Sequence, residues 1–316
     1  MHVRRSLLSL AAAGVLALSA GCAGDDLAED DEPSAAGSPQ AGGEVTIGTQ
    51  NFDEAVLVAS MYEQVLDDAG YDVTVKEVGR RDIYVNQMPD QVDVAPEYVG
   101  GIADFMNTTA NGADADPITT SDTTETVEAV TPLLEDAGLV LLEPSPATSQ
   151  NAYFVTQEFA DAEGVTALSD LEGRSVVLAA AEDCPGRPDC EAGLVDTYGI
   201  DVTEVLPLGF ASPQTFKAVL DGEADLGQTG TLDGTLDDQG LVLLEDDESI
   251  QPAQNLVPLL SKSFLEEHPD VEERLEELMA ALDNDTLGEL IARVTVEREQ
   301  ADDVAEEWLK EQGLVS

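Results

Sequence analysis

The sequence predicts an α/β protein of two lobes, each a mostly parallel sheet flanked by helices, joined by two hinge crossings. Three observations predict it. From Glu44 onward, short apolar runs alternate with amphipathic segments, the pattern of strand and helix in turn. Two stretches, DQVDVAPEYVGG at 90–101 and DGEADLGQTGTLDG at 221–234, repeat one design. In each, an amphipathic segment leads through a polar turn to an acid and a short apolar strand, Asp93-Val94-Ala95 and Asp225-Leu226-Gly227. A polar, Gly-containing loop with a carboxylate follows, Glu97 beside Tyr98 in one half and Asp233 in the other, where open α/β sheets bind ligands. Finally, the first series breaks at Glu143-Pro144-Ser145-Pro146, a second series follows, and a last strand stands after it. The chain therefore crosses between lobes twice.

Residues 1–21 read as a lipoprotein signal peptide: Arg4 and Arg5, an apolar run from Leu7 to Leu18, then Ser19-Ala20-Gly21 before Cys22. Lipidation of Cys22 is favoured over a plain cleavage site. Residues 22–43 are acidic, then rich in Pro, Ser, Gly and Ala, and form a disordered tether with almost nothing to bury. At about 5–6 Å times the square root of its length, such a tether reaches on the order of 25 Å. Lobe I takes residues 44–146 plus 252–316, and lobe II takes 147–251.

Within lobe I the alternation predicts strands at 45–48, 73–78, 92–95 and 139–142. Helices are expected at 53–69, near Ile83 and at 124–137, with a loose polar loop at 108–122. In lobe II, from about Tyr153, strands fall near 175–178, 204–206, 224–226 and 241–244. A strand at 255–260 and three helices ending at Gln312 return to lobe I. Two independent consecutive domains rank second.

Sixty-six acids against 13 bases give a net charge of -53, which repels phosphate backbones and excludes a nucleic-acid partner. A solvated acidic surface accounts for the charge. Catalytic chemistry finds few residues to use: the histidines are His2, in the signal, and His268, expected to be exposed. No phosphate-binding glycine loop, nucleophile elbow or zinc-binding histidine pair is present, so no metal or cofactor is implied. Carboxylate-only catalysis stays open, which keeps an exported hydrolase or transferase as an alternative. A sensor or adhesion domain for another solute is the second alternative.

Cys184 and Cys190, close together in an exported chain, most simply form a disulfide. The loop they enclose holds Arg187, which either clamps a ligand carboxylate or pairs on the surface with one of the many acids. Asn51 and Phe52 lie where the first strand meets the first helix; Asn51 or Asp53 would cap it, and its free N–H groups can also receive an anion. Tyr84, Tyr98, Tyr153 and Phe216 are scarce aromatics at element ends. Tyr98 and Tyr153 flank polar loops, which favours exposure.

The landmarks IGTQNFDEAVLVASMYEQVL, VDVAPEYVGG, EDCPGRPDCEAGLVDTYGI, FKAVLDGEADLG and LVLLEDDESIQPAQNLVPLL together resemble the substrate-binding proteins of ABC importers for glycine betaine, choline and related osmoprotectants. The resemblance covers nearly all of residues 44–315. It implies the type II periplasmic-binding-protein fold, hinge closure on a solute, a monomer, and a membrane ABC permease as partner. It also implies an aromatic box for a quaternary ammonium, with Tyr98, Tyr153 and Phe216 on wall positions and Arg187 at a ligand-contacting place. Gly230 stands where relatives often carry an aromatic, and Arg80-Arg81 replaces a small polar turn. The ligand-binding set expected from both readings is Asn51, Phe52, Glu97, Tyr98, Tyr153, Arg187, Phe216 and Asp233.

Overall fold

The computed structural model describes residues 42–112 and 115–316. The expected signal peptide, Cys22 and all but the last two residues of the expected tether lie outside the described residues. Strands β1 (Glu44–Gln50), β2 (Asp72–Val78), β3 (Val94–Tyr98) and β4 (Leu139–Leu141) form one sheet with the late strand β10 (Leu256–Ser261), in the order β2-β1-β3-β10-β4. A second sheet takes β5 (Asn151–Thr156), β6 (Ser175–Ala180), β7 (Asp201–Pro207), β8 (Leu226–Gly230) and β9 (Leu241–Leu244), in the order β7-β6-β8-β5-β9.

The sheets are mixed, with one rule. β1 runs parallel to β2 and β3, while β10 runs antiparallel to both β3 and β4, so β10 alone is reversed. In the second sheet β5 is reversed in the same way, against β8 and β9. The reversed strand is, each time, the first strand after a crossing. Insertion of β10 between β3 and β4 excludes two independent consecutive domains. The crossings lie side by side: Thr148 bridges Asn255, and Ser149 N–H donates to Gln254 O at 3.0 Å.

Alternation along the strands sends neighbours to opposite faces, and helices cover both. Val94 and Leu260 join Leu57, Met61, Leu278 and Trp308 on one face, whereas Ala95 and Leu259 join Ile102, Val130 and Leu134 on the other. The first group comes from α1 (Asp53–Asp68) and the C-terminal helices α9 (Asp270–Ala280), α10 (Asn284–Thr295) and α11 (Ala301–Gln312). The second group comes from α3 (Val99–Asn111) and α4 (Thr123–Asp136), with the short α2 (Arg81–Val85) beside them. Lobe II divides likewise: Tyr153 and Val155 face the disulfide side, and Phe154 faces α7 (Pro213–Leu220).

Several expectations are corrected. The stretch after β3 is no loop, because α3 starts at Val99 immediately behind Tyr98. Its glycines serve close packing: a Cβ on Gly100 would stand 2.5 Å from Ala253 O, and one on Gly101 2.5 Å from the Arg81 guanidinium. The strands expected at 92–95 and 224–226 lie further on, at β3 and β8, so Glu97 and Tyr98 are strand residues. Four helices rather than three end the chain, since α8 (Lys262–Glu267) precedes α9. α5 (Gln157–Glu163) and α6 (Glu191–Asp196) complete the set. His268 is half-buried, with its ring 4.8 Å from Phe264 and 5.4 Å from Tyr71. The N-cap of α1 is Phe52 and carries no side-chain cap bond, so neither Asn51 nor Asp53 caps it.

Candidate ligand-binding site

A cavity of about 280 Å³ opens between the first turn of α1, the first crossing, the loop after β7 and the carboxyl end of β8. Lobe I contributes Glu54 from the first turn of α1 and Ile291 from α10, the crossing contributes Ser149, and lobe II contributes Phe210, Gly230 and Asp233. The sequence builds the lobe I wall by ending β1 at Gln50 and starting a helix three residues later. That places Glu54 beside the end of β3. Tyr98 donates its hydroxyl to Glu54 Oε1 at 2.5 Å, and Ser149 Oγ donates to Oε2 at 3.3 Å. Burial pushes the Glu54 carboxyl above its ordinary value, and these two hydrogen bonds oppose the shift.

Tyr98 is held from both sides. Its ring stacks on Phe52 with centroids 6.4 Å apart, and Phe52 itself is 42% exposed. Burial and the adjacent Glu54 carboxylate drive the Tyr98 phenol well above its ordinary value, so it stays a hydrogen-bond donor. Behind it lies Glu97, 0% exposed, which accepts from Arg81 Nε at 2.7 Å, from the Tyr84 hydroxyl and from Tyr98 N–H at 3.1 Å. Glu97 thus faces away from the ligand space and fixes the strand that carries Tyr98. Arg81, half-buried, supplies the counter-charge that a buried carboxylate demands.

On the lobe II wall, Asp233 accepts from Thr229 Oγ1 at 2.6 Å and from Thr235 N–H at 3.1 Å. Phe210, 48% exposed, projects beside Gly230, its Cζ 3.5 Å from where a Cβ on Gly230 would stand. Gly230 lacks a ring of its own, and the neighbouring loop supplies one.

The remaining expected residues sit elsewhere. Tyr153 is 1% exposed and donates its hydroxyl to Asp189 O at 3.0 Å, against the expectation of exposure. Cys184 and Cys190 are joined by a disulfide. The Arg187 guanidinium donates to Asp189 through Nε at 3.0 Å and Nη2 at 2.5 Å, and to Asp183 through Nη1 at 3.0 Å. It is not among the cavity's lining residues. Phe216 packs on Phe154 at 5.2 Å within the lobe II core, so it lines no wall of this cavity. Asn51 is exposed, its N–H donating to Val78 O at 3.0 Å. Of the expected residues, Asp233 lines the cavity, Tyr98 reaches it through its hydrogen bond to Glu54, and Phe52 stacks on Tyr98. Glu54 and Phe210 join them, and sequence reasoning passed over both.

The sign of the Glu54 shift predicts a stability effect. A folded-state value raised above the unfolded one contributes stability below the unfolded value, and this is lost as pH rises through the folded value. Glu54→Gln, which keeps the hydrogen-bonding shape, is therefore expected to raise Tm at neutral pH. The gain should shrink on acidification into the carboxylate range, as thermal unfolding at the two conditions would reveal.

Two α/β lobes, a pair of adjacent crossings and a polar-aromatic cavity at the strand ends define a solute-binding protein. Residues 43–311 match the family described as the substrate binding domain of ABC-type glycine betaine transport system, and the chain belongs to that family. It is a substrate-binding protein of ABC-type transport. A glycine-betaine-binding protein of Pseudomonas aeruginosa is 28% identical over 85% of this chain and 88% of its own. The glycine betaine-binding protein YehZ of Escherichia coli is 28% identical over 87% and 92%. The apo structure of YehZ superposes with a TM-score of 0.73 at 26% identity, over 86% of this chain and 99% of that one.

Proposed function

We propose that the chain is an exported lipoprotein, cleaved before Cys22 and lipidated there, whose lobes I (44–146 plus 252–316) and II (147–251) close on a small quaternary-ammonium osmoprotectant. The ligand is of the glycine betaine or choline type and passes unaltered to the permease of an ABC importer. The observation that carries the reading is the cavity at the strand ends, where Glu54 and Asp233 stand with Phe210 and beside the Tyr98–Phe52 stack. Carboxylates attract the cation, and aromatic faces receive its methyl groups without competing hydration. The Phe210 face supplies about 0.5–2 kcal/mol, against about 8 for micromolar affinity. The two carboxylates and apolar burial supply the rest.

Titration calorimetry with glycine betaine, choline, carnitine, proline betaine and proline tests the reading. Saturable binding of at least one quaternary ammonium compound is expected, and its recovery with unchanged mass excludes turnover. If no member of the panel binds, the ligand class is wrong. Phe210→Ala should weaken the best ligand by about 0.5–2 kcal/mol while leaving Tm unchanged, because the ring is largely exposed. Cys22→Ala should release the protein from the membrane fraction.

A further inference from the structure

The cleft has a polarity that the ligand class alone does not specify. Its side-chain donors are already engaged with the protein. Ser149 Oγ donates to Glu54, Thr229 Oγ1 to Asp233 and Thr231 Oγ1 to Thr148 O. Each of the two amides also gives a hydrogen to the protein, Gln150 Nε2 to Pro252 O at 2.7 Å and Asn151 Nδ2 to Asp189 Oδ2 at 3.1 Å. What the walls chiefly offer a ligand is negative charge, the carboxylates of Glu54 on one lobe and Asp233 on the other. Their oxygens already accept from Tyr98 and Ser149 and from Thr229 and Thr235, and keep further lone pairs. Among the described residues lining the cavity there is no Lys or Arg. Arg187, the nearest sequence candidate for a carboxylate clamp, is held by Asp189 and Asp183. The positive end of α1 is likewise answered by its own first-turn acids, Asp53 and Glu54.

We infer that the cleft ranks a quaternary cation without a carboxylate, choline being the probe, above the zwitterion glycine betaine, and that Glu54 sets this ranking. The inference rests on the proposed function, since it assigns a preference within that ligand class. Both molecules bring the same trimethylammonium group to the aromatic faces, so that contact cannot separate them. They differ at the other end. Choline carries a hydroxyl, which donates to an acceptor wall. Glycine betaine carries a carboxylate, which meets like charge and few free donors, and a buried charge without a partner is costly. Glu54 is the discriminating group because it belongs to lobe I and is shared between Tyr98 and the crossing residue Ser149. It therefore remains in place however lobe II moves.

Calorimetry on the full mature chain, wild type and Glu54→Gln, with choline and glycine betaine as separate ligands, tests this. Gln keeps an oxygen for the Tyr98 hydroxyl, and its amide can reach Ser149, so the variant is expected to fold; Tm confirms that it does. Wild type should bind choline about tenfold or more tightly than glycine betaine, and Glu54→Gln should reduce that ratio by about tenfold, the size of one charge-assisted contact. The change should combine weaker choline binding with tighter glycine betaine binding, since the variant removes the charge that attracts one and repels the carboxylate of the other. A second variant, Asp233→Asn, should shift the ratio in the same direction. Binding of both ligands at a ratio indifferent to Glu54→Gln overturns the inference and leaves the proposed function standing. A wild-type preference for glycine betaine also overturns it, and failure of both ligands to bind removes the proposed function with it.

Discussion

Arg81→Ala is expected to destabilise the protein by about 3–5 kcal/mol, the cost of leaving a buried charge without its counter-charge. Glu97 is fully buried on β3, and the Arg81 Nε at 2.7 Å is its ion-pair partner. The Tyr84 hydroxyl and Tyr98 N–H would remain as donors, but neither carries charge. Chemical denaturation should show a lower midpoint with an unchanged slope. Combining Arg81→Ala with Glu97→Gln should recover much of the loss, because the uncompensated charge is then absent. Since Glu97 also holds Tyr98 N–H, the single variant should weaken ligand binding too. A loss within the range of an exposed ion pair, about 1 kcal/mol or less, would mean that Glu97 does not need Arg81.

Gly227→Val is expected to cost lobe II about 1–3 kcal/mol or more through overpacking. Gly227 pairs with Phe154 across β8 and β5, and a Cβ there would stand 2.2 Å from the Phe154 ring. That ring is fully buried against Ala179, Ala218 and Leu241, so it has nowhere to turn. The double variant Gly227→Val, Phe154→Leu exchanges volume across the pair and should be more stable than Gly227→Val alone. Coupling of this kind appears in a double-mutant cycle and is absent if the two positions act independently. Because Thr229 and Gly230 end the same strand at the cleft, ligand affinity should follow the stability change.

Much of the fold was legible because it depends on period and order. Alternating strand and helix signals, the break at Pro144 and Pro146 and the late strand after Gln254 together imply two sheets and two crossings. Direction was less legible, since nothing in Leu256–Ser261 or Asn151–Thr156 distinguishes a reversed strand from its neighbours. The start of α3 was missed because Gly100 and Gly101 look like a turn locally, and only tertiary contacts with Ala253 and Arg81 explain them. At the site, Tyr98, Phe52 and Asp233 could be named because each stands beside a strand end. Tyr153 and Phe216 stand beside strand or helix ends as well, yet they turn into the lobe II core, a choice set by packing rather than spacing. Glu54 was overlooked among 66 acids, and only its contacts with Tyr98 and Ser149 set it apart.

The reversed strand that follows each crossing also orders assembly in time. All five strands of the second sheet lie between Asn151 and Leu244, so that sheet can mature as soon as its own segment is free to collapse. The first sheet cannot: β4 attaches only through β10, and pairing Leu256 with Tyr98 encloses everything between them, an entropic closure made late. Pulse-labelled hydrogen exchange during refolding should therefore protect β6 and β8 before β3 and β4. A chain stopped short of Leu256 would keep a sound C-terminal half while leaving the β3 flank bare and prone to self-association.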